Sequence, residues 1–321
     1  MQYRTLGRTG LEVSALSFGA SSLGSVFREV PEDEGIRTVH EALDGGINLI
    51  DVSPYYGLTQ AETVLGKALR SVSRDRYILS TKAGRYGSDE FDFSRERIMR
   101  SAEESMRRLG TDYLDILLLH DIEFGSAKQI LEESLPALEE LKQAGKIRFF
   151  GVSGLPLGVF EKIAPQAAID VILSYCHYSL NDRTLLNLLP LLDAGGVGLI
   201  NASPISMGLL SDRDVPDWHP ADEEVRAVCR RAAEFCRERG EEIAKLAVQF
   251  STADERIPTT LVSTANPDNI RRNIRWTEEP IDRELLAQVE KILSPIQGRT
   301  WDSGRSEWST NNKQDAEGKR S

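Results

Sequence analysis

The sequence predicts an α/β fold, a closed (β/α)8 or TIM barrel, from three observations. Short apolar runs recur eight times along the 321 residues, stretches with helical spacing separate them, and the chain shows no internal sequence repeat. Such alternation indicates a parallel sheet covered by helices, because right-handed crossovers place each helix over the sheet. The eight candidate strands span residues 15–19, 47–52, 77–81, 113–119, 147–152, 170–175, 197–201 and 260–263.

The turn after the first run decides between a barrel and an open, doubly wound sheet. An open dinucleotide-binding sheet would carry a G-x-G-x-x-G fingerprint there. Residues 19–24 read GASSLG instead, which favours the barrel.

Two helices between the strands are well marked. Residues 94–109 place Ile98, Ser105 and Leu109 on one inward face, and residues 126–144 open with a capping-box pattern in which Gln129 follows Ser126 by three positions. Residues 1–300 are predicted to form one barrel domain with an extra C-terminal helix. Segment 208–240, rich in Asp, Pro and Arg, stands outside the alternation, and the polar residues 301–321 predict a disordered tail.

Composition narrows the class of function. The 50 acidic residues exceed the 39 basic ones, for a net charge of −11, which argues against partners such as nucleic acid or an anionic membrane. Three scattered cysteines form neither a disulfide framework nor a zinc site, so we predict no metal and a reducing cytoplasmic location. No leader or membrane span is apparent, and oligomeric state is left open. Cys176 is predicted to be buried and inert.

Four polar residues fall where a (β/α)8 barrel keeps its chemistry, at the carboxyl ends of strands. Asp51 ends the second strand and Tyr56 follows it, Lys82 ends the third strand, and His120 ends the fourth. A phenol beside an ammonium that a carboxylate holds is a tunable proton donor or base, and a histidine can donate to the same substrate oxygen. We therefore predict reversible hydride transfer at a carbonyl or carbinol carbon.

The same four residues admit a structural explanation. Singly, each has an ordinary role in a turn or a core, and jointly Asp51 and Lys82 could form a buried ion pair. Lys82 could also be the nucleophile of a Schiff-base aldolase, which requires a lysine with a depressed pKa.

Several motifs resemble the aldo-keto reductase family. Residues 51–57 read DVSPYYG, and STK at 80–82 and LLH at 118–120 follow at the family's spacing, so its catalytic tetrad falls on Asp51, Tyr56, Lys82 and His120. The opening RTLGRTGLEVS at 4–14 is similar to the family's N-terminal β-hairpin, GKIR at 145–148 to its fifth strand, and SPISMGLL at 203–210 to its cofactor loop. The resemblance covers nearly the whole chain.

The resemblance implies a nicotinamide cofactor at the carboxyl ends of the later strands. Where the family usually has Ser-Asn and Gln, this sequence has Ser153-Gly154 and Tyr175. NADP-dependent members typically have basic side chains at the positions of Ser263 and Asn269, and neither residue is basic here. NAD is therefore the expected cofactor, and NADP is the alternative. Arg271 or Arg272 could still reach a phosphate. The expected cofactor contacts are Ser153, Tyr175, Ser203, Pro204, Ile205, Gly208, Leu209, Ser263, Thr264, Asn269, Arg272 and Asn273.

Within the family, residues 84–86 (GRY), 120–126 (HDIEFGS), 172–178 (ILSYCHY) and 218–220 (WHP) resemble a branch that oxidises C1 of L-galactose- or L-fucose-type sugars to the lactone. The expected substrate is thus a small sugar, with Tyr56 as the proton-transfer group. Aromatic and polar loop residues on the predicted active face suit a polyhydroxylated ligand. The candidate contacts are Asp121, His177, Tyr178, Trp218 and His219.

Two alternatives share this site. The tetrad would serve an NADPH-dependent aldehyde or ketone reductase equally well, and a non-catalytic, cofactor-sensing partner subunit would keep the fold without turnover.

Overall fold

Eight parallel strands close into a barrel, as the sequence predicts. The computed structural model describes residues 1–26 and 28–308. The barrel strands follow each other in chain order, and the last strand pairs with both its predecessor and the first barrel strand to close the ring. They are β3 (Leu16–Gly19), β4 (Leu49–Asp51), β5 (Ile78–Ala83), β6 (Leu114–Leu119), β7 (Ile147–Gly154), β8 (Val171–Tyr175), β9 (Gly198–Ala202) and β10 (Thr259–Ser263).

An antiparallel hairpin, β1 (Tyr3–Thr5) and β2 (Glu12–Ser14), closes the amino-terminal end of the barrel. Leu6, Leu11 and Val13 pack against inward side chains of the strands. These contacts fill the amino-terminal end of the barrel interior. Gly7 has φ +51°, and a Cβ there would lie 2.4 Å from the backbone nitrogen of Gly198. Only glycine allows this close approach, so the hairpin is seated firmly and the open end of the barrel is the carboxyl end.

Amphipathic helices surround the barrel and bury their apolar faces against the strands. None of the helices among residues 1–26 and 28–308 is long and apolar enough to cross a membrane. The helices are α1 (Glu32–Asp44), α2 (Gln60–Leu69), α3 (Arg95–Leu109), α4 (Ala127–Gln129), α5 (Leu135–Gln143), α6 (Leu157–Ile163), α7 (Leu189–Gly195), α8 (Glu223–Arg237), α9 (Ile243–Ala253), α10 (Pro267–Glu278) and α11 (Arg283–Leu293).

The helix predicted over residues 126–144 has an irregular centre. Ser126 caps it as expected, because its side chain accepts a hydrogen bond from Gln129 N at 3.2 Å. A π-helical segment, Ile130–Ser134, then separates α4 from α5. Pro136 cannot donate to the preceding turn, and the Ser134 hydroxyl bonds to Phe93 O at 2.5 Å. Both features favour the π-helical segment. Neither can be read from the spacing of apolar residues, on which the helix prediction rests.

Two additions cover one side of the barrel. Segment 208–240, which the alternation left unassigned, contains α8, and α8 packs against the predicted extra C-terminal helix α11. The expectation of a disordered tail from residue 301 is wrong for residues 301–308, whereas residues 309–321 lie outside the described part of the chain. Trp308 is 3% exposed and donates to Gly125 O at 3.0 Å, so this stretch is held against the mouth of the barrel.

Candidate active site

The four tetrad residues converge at the carboxyl ends of neighbouring strands. Asp51 is the last residue of β4, Lys82 lies one residue before the end of β5, and His120 directly follows β6. Asp51 pairs with Ser80 across β4 and β5, and Lys82 pairs with Leu118 across β5 and β6. Parallel register thus brings these side chains to one level of the barrel.

Asp51 and Lys82 form a buried ion pair in which every group has a partner. Each residue is 2% exposed, and Lys82 Nζ donates to Asp51 Oδ1 and, at 3.0 Å, to Val52 O. Ser80 Oγ donates to Asp51 Oδ2 at 2.7 Å. Burial would lower the pKa of Lys82, but the charge interactions and hydrogen bonds with Asp51 and Tyr56 together outweigh it and raise that pKa overall. Lys82 is held as an ammonium, which disfavours the Schiff-base aldolase.

Tyr56 points its hydroxyl at that ammonium. Lys82 Nζ donates to Tyr56 Oη at 3.4 Å. The loop that carries Tyr56 packs on Gly24, where a Cβ would lie 2.6 Å from Tyr56 O, so the backbones touch without intervening side chains. Burial raises the pKa of Tyr56, whereas the nearby Lys82 opposes this rise. Tyr56 is therefore a phenol near neutral pH, and Lys82 stabilises its phenolate when the proton leaves.

His120 stands beside Tyr56 as a neutral imidazole. The two rings lie edge to face, with centroids 5.6 Å apart and planes at 84°. Burial, followed by repulsion from Lys82 and Arg85, holds the pKa of His120 well below its usual value. His120 Nδ1 is 2.9 Å from Ser53 Oγ. A neutral imidazole beside a phenol can donate one hydrogen bond to an oxygen that the phenol also contacts.

Asp121 extends the site beyond the tetrad. Its Oδ2 lies 3.7 Å from His120 Nε2 and accepts a hydrogen bond from Arg85 Nη1 at 2.5 Å. The Arg85 guanidinium in turn lies 4.0 Å from the centre of the Tyr55 ring. Burial raises the pKa of Asp121, and the adjacent Arg85 counters this rise. The pair places hydrogen-bond donors and acceptors next to an aromatic face.

Ser153 and Tyr175, at the ends of β7 and β8, are brought next to this group. Ser153 Oγ accepts from Asp121 N and donates to Leu119 O, both at 3.3 Å. Tyr175 lies near the Asp121 carboxylate, and its pKa is raised well above the usual value by burial and then by Asp121 and Glu123. Both residues therefore lie near the carboxyl ends of their strands, and the Ser153 hydroxyl forms its hydrogen bonds within the protein.

The position where the family usually has Asn is Gly154 here, and Glu123 occupies the space beside it. A Cβ on Gly154 would lie 2.7 Å from Glu123 Oε2, so the carboxyl fills the space of the missing side chain. Glu123 Oε1 accepts from Leu155 N at 3.1 Å and from Ser303 Oγ at 3.0 Å. Burial, followed by the nearby Asp121, raises the pKa of Glu123 to about 8.

The expected cofactor loop after β9 has a contorted backbone. Ser203, Ser206, Met207 and Gly208 all have positive φ values, between 47° and 107°. Ser206 Oγ donates to Asn181 Oδ1 at 2.6 Å, which ties the loop to the segment after β8. Pro204 and Ile205 lie within this turn. The Leu209 side chain is buried against α8 and α11, so only its backbone is left for a ligand.

The remaining cofactor candidates lie at the end of β10 and beyond it. The Ser263 hydroxyl accepts from Ser22 N at 3.1 Å, and Thr264 Oγ1 accepts from Asn266 N, also at 3.1 Å. Asn266 caps α10 by accepting from Asp268 N and Asn269 N. Farther along this helix, Arg272 donates to Glu242 at 3.2 Å and to Asn269 at 3.3 Å, and Asn273 is half-buried.

Two of the substrate candidates, Tyr178 and His219, make their polar contacts with the protein itself. Tyr178 stacks on Phe250, and its hydroxyl donates to Asp254 at 2.9 Å, at the C-terminal end of α9 and away from the tetrad. Both ring nitrogens of His219 are bound to the backbone, Nε2 to Ser206 O and Nδ1 to Ala221 N, each at 3.1 Å. These side chains are held in packing roles that depend on distant contacts, which a loop position cannot reveal.

The other loop candidates, His177 and Trp218, differ in exposure. His177 Nδ1 contacts Thr184 Oγ1 at 2.9 Å, whereas its buried Nε2 has no partner. Trp218 is 56% exposed and stacks on His219 at 6.0 Å. Cys176 is buried, as predicted, and burial raises the pKa of its thiol to about 12.

Sequence reasoning did not assign roles to four residues of the site. Ser53 contacts the tetrad histidine, Arg85 pairs with Asp121, Glu123 occupies the space beside Gly154, and Ser303 anchors the C-terminal stretch on Glu123. Ser53, Arg85 and Glu123 lie within the motifs that carry the family resemblance, which is a signal that could have marked them. Ser303 had no such signal.

Comparison with known proteins agrees with this geometry. Residues 15–294 match the Aldo/keto reductase family, and the chain belongs to that family. It is therefore an oxidoreductase that acts on CH–OH groups with a nicotinamide cofactor.

Particular relatives make the likeness more specific. The chain is 49% identical to the L-galactose dehydrogenase of Arabidopsis thaliana over 95% of this chain and 98% of that one. It is 35% identical to the D-arabinose 1-dehydrogenase of Saccharomyces cerevisiae over 75% and 76% of the two chains. An aldo-keto reductase of Bacillus halodurans in its holo form superposes with a TM-score of 0.79 at 28% identity, covering 95% and 100% of the chains.

Proposed function

We propose that this protein oxidises C1 of an L-galactose- or L-fucose-type aldose to the lactone with NAD. The observation that carries the proposal is the buried array in which Lys82 Nζ bonds to both Asp51 and Tyr56 while His120 lies against the Tyr56 ring. The high identity to an L-galactose dehydrogenase supports the sugar.

Oxidation at C1 removes a hydride, which the nicotinamide ring accepts when NAD is bound, and a proton, which leaves the C1 hydroxyl. Tyr56 as phenolate takes that proton, with Lys82 stabilising the phenolate and Asp51 holding Lys82 in place. His120 donates a hydrogen bond to the C1 oxygen. Since burial raises the pKa of Tyr56, the phenolate fraction grows with pH, and oxidation is expected to accelerate from neutral to alkaline pH.

The surroundings of the tetrad suit a polyol. Asp121 and Arg85 provide an acceptor and a donor beside His120, and Tyr55 and Tyr175 add aromatic faces. Sugars are commonly held by such a mixture of planar charged groups and aromatic rings. We assign Asp121 and Arg85 to the sugar hydroxyls nearest C1.

Charge pairing near the start of α10 favours NAD over NADP. Arg271 bonds to Asp268 and, at 2.5 Å, to Glu41, and Arg272 bonds to Glu242. A 2′-phosphate would therefore meet guanidinium groups that carboxylates already neutralise, with the acidic side chains close by. The 2′-hydroxyl of NAD carries no such repulsion. The unpartnered Nε of Arg272 is a polar atom that a cofactor can still engage.

A panel of L- and D-aldoses, each with NAD and with NADP, tests the proposal through the absorbance of the reduced cofactor. We expect turnover of L-galactose or L-fucose with NAD and a lactone as product. Tighter binding of NADPH than NADH, together with reduction of simple aldehydes and no aldose oxidation, would instead establish the NADPH-dependent reductase.

A further inference from the structure

Ser53 contacts the tetrad histidine through its hydroxyl. It follows β4 by two residues, it is fully buried, and its Oγ lies 2.9 Å from His120 Nδ1. The same oxygen accepts a hydrogen bond from Tyr55 N at 3.1 Å. This hydroxyl makes no other hydrogen bond with residues 1–26 or 28–308.

These contacts determine where the hydroxyl proton goes. A serine hydroxyl has one proton and two acceptor positions, and a backbone N–H can only donate. The Tyr55 bond therefore uses an acceptor position and leaves the proton free. His120 Nδ1 is the acceptor within reach, so Ser53 donates to Nδ1.

The other ring nitrogen gives an independent indication. Lys82, Arg85 and Asp121 are the charged groups that face His120, and of these only Asp121 can accept a proton, with its Oδ2 3.7 Å from Nε2. A neutral imidazole carries a single N–H. With Nδ1 accepting from Ser53 and Nε2 facing a carboxylate, that proton belongs on Nε2.

We propose that Ser53 is a positioning residue that fixes His120 as the Nε2–H tautomer and holds its ring edge to face with Tyr56. The inference rests on the proposed function, because it supplies the hydrogen bond that His120 donates to the C1 oxygen. In the opposite tautomer, Nε2 would present a lone pair to that oxygen and oppose the negative charge that develops on it. Ser53 itself touches neither sugar nor cofactor.

The test compares Ser53→Ala with the conservative variant Ser53→Thr, which keeps a hydroxyl. The primary readout is the ¹⁵N spectrum of the imidazole rings, which is tractable because the chain has four histidines. The His120 signals are assigned by their loss in His120→Gln. His219, whose two ring nitrogens are bound to the backbone, reports within each spectrum that the fold is retained.

In the wild type we expect a protonated Nε2 and an unprotonated Nδ1. Ser53→Ala should shift His120 to a mixture of tautomers and lower kcat about tenfold with little change in KM, a smaller loss than the 10²–10³ typical of removing a transition-state donor outright. Ser53→Thr should restore the wild-type tautomer and most of kcat. A proton on Nδ1 in the wild type, or an unchanged spectrum in Ser53→Ala, overturns the inference.

The spectra need no substrate, which separates this inference from the proposed function. If the tautomer depends on Ser53 but no aldose is oxidised, the proposed function fails alone. If aldoses are oxidised while Ser53→Ala leaves tautomer and kcat unchanged, the role of Ser53 fails alone.

Discussion

The two halves of the barrel mouth differ in how completely their polar groups are satisfied. On the side of β4 to β6, the polar atoms of Asp51, Lys82 and Ser53 all have partners within the site. On the side of β7 to β10, several buried polar atoms have none. They include His177 Nε2, Arg272 Nε and the Oε2 of Glu123, which comes from the loop after β6 but lies against Gly154 of β7. Buried unpaired groups are costly in a native protein and call for an explanation.

This difference indicates that the two sides of the barrel mouth have different roles. The tetrad is complete before any ligand arrives, which is the condition for electrostatic preorganisation. The opposite half keeps unpaired polar atoms near two positions where the sequence departs from its family. Glu123 Oε2 lies beside Gly154, and His177, with its unpaired Nε2, follows Tyr175 by two residues. We infer that the chemistry is built into the β4 to β6 side, whereas ligand choice is decided on the β7 to β10 side and its loops.

The variant Tyr56→Phe is expected to have the largest effect and tests whether the chemistry lies on the β4 to β6 side. Loss of the proton-transfer group should lower kcat for aldose oxidation by about 10²–10⁴. Cofactor affinity, measured by fluorescence titration, should stay within about twofold, because the phenol lies on the chemical side of the mouth. Tyr77→Phe, the same change at the amino-terminal end of β5, is the control and should retain activity. Unimpaired turnover in Tyr56→Phe would refute the mechanism.

Lys82→Met tests whether stability and activity on the β4 to β6 side depend on the Asp51–Lys82 ion pair. Removing the ammonium leaves Asp51 as a buried charge without its counterion, which should cost about 3–5 kcal/mol of unfolding free energy and abolish turnover. The double variant Asp51→Asn with Lys82→Met should regain much of the stability but none of the activity. Urea denaturation measures the stabilities. Equal stability of the single and double variants would show that the pair is not coupled.

Glu123→Gln tests the opposite half through pH. Folding raises the pKa of Glu123 from 4.5 to about 8, so between these values the unfolded chain loses a proton that the folded protein keeps. The group's contribution to stability is therefore largest below pH about 4.5 and falls as pH rises to about 8. Glu123→Gln should flatten this part of the stability profile, whereas Glu161→Gln, an exposed change on α6, should not. Identical slopes in all three proteins would contradict the assignment.

The smallest expected effect concerns the cofactor. Glu242→Gln removes the carboxylate that neutralises Arg272 and should strengthen NADP binding about two- to fivefold, the size typical of an exposed ion pair. NAD affinity should change little. Glu41→Gln removes the same charge but leaves Arg271 paired with Asp268, so it shows whether position or net charge decides the effect. An equal gain for NAD and NADP would remove the basis for the assigned cofactor preference.

The sequence predicted most of the fold and the tetrad for one physical reason. Buried parallel strands are short apolar runs, and barrel chemistry lies at their carboxyl ends, so Asp51, Lys82 and His120 could be placed from local patterns. Tyr178 and His219 could not, because their orientations depend on Asp254 and Ser206, which are distant in sequence. The docking of Trp308 on Gly125 is likewise a long-range contact within a polar segment.

The account is tested most directly by following the hydrogen at C1. L-galactose deuterated at C1 is incubated with the enzyme and NAD, and the reduced cofactor is analysed by mass spectrometry. We predict one deuterium in the NADH, a lactone product, and label transfer lowered at least a hundredfold in Tyr56→Phe, in line with the loss of general acid–base catalysis. Reduced cofactor without deuterium, or equal label transfer by Tyr56→Phe, would contradict hydride transfer from C1 at this tetrad.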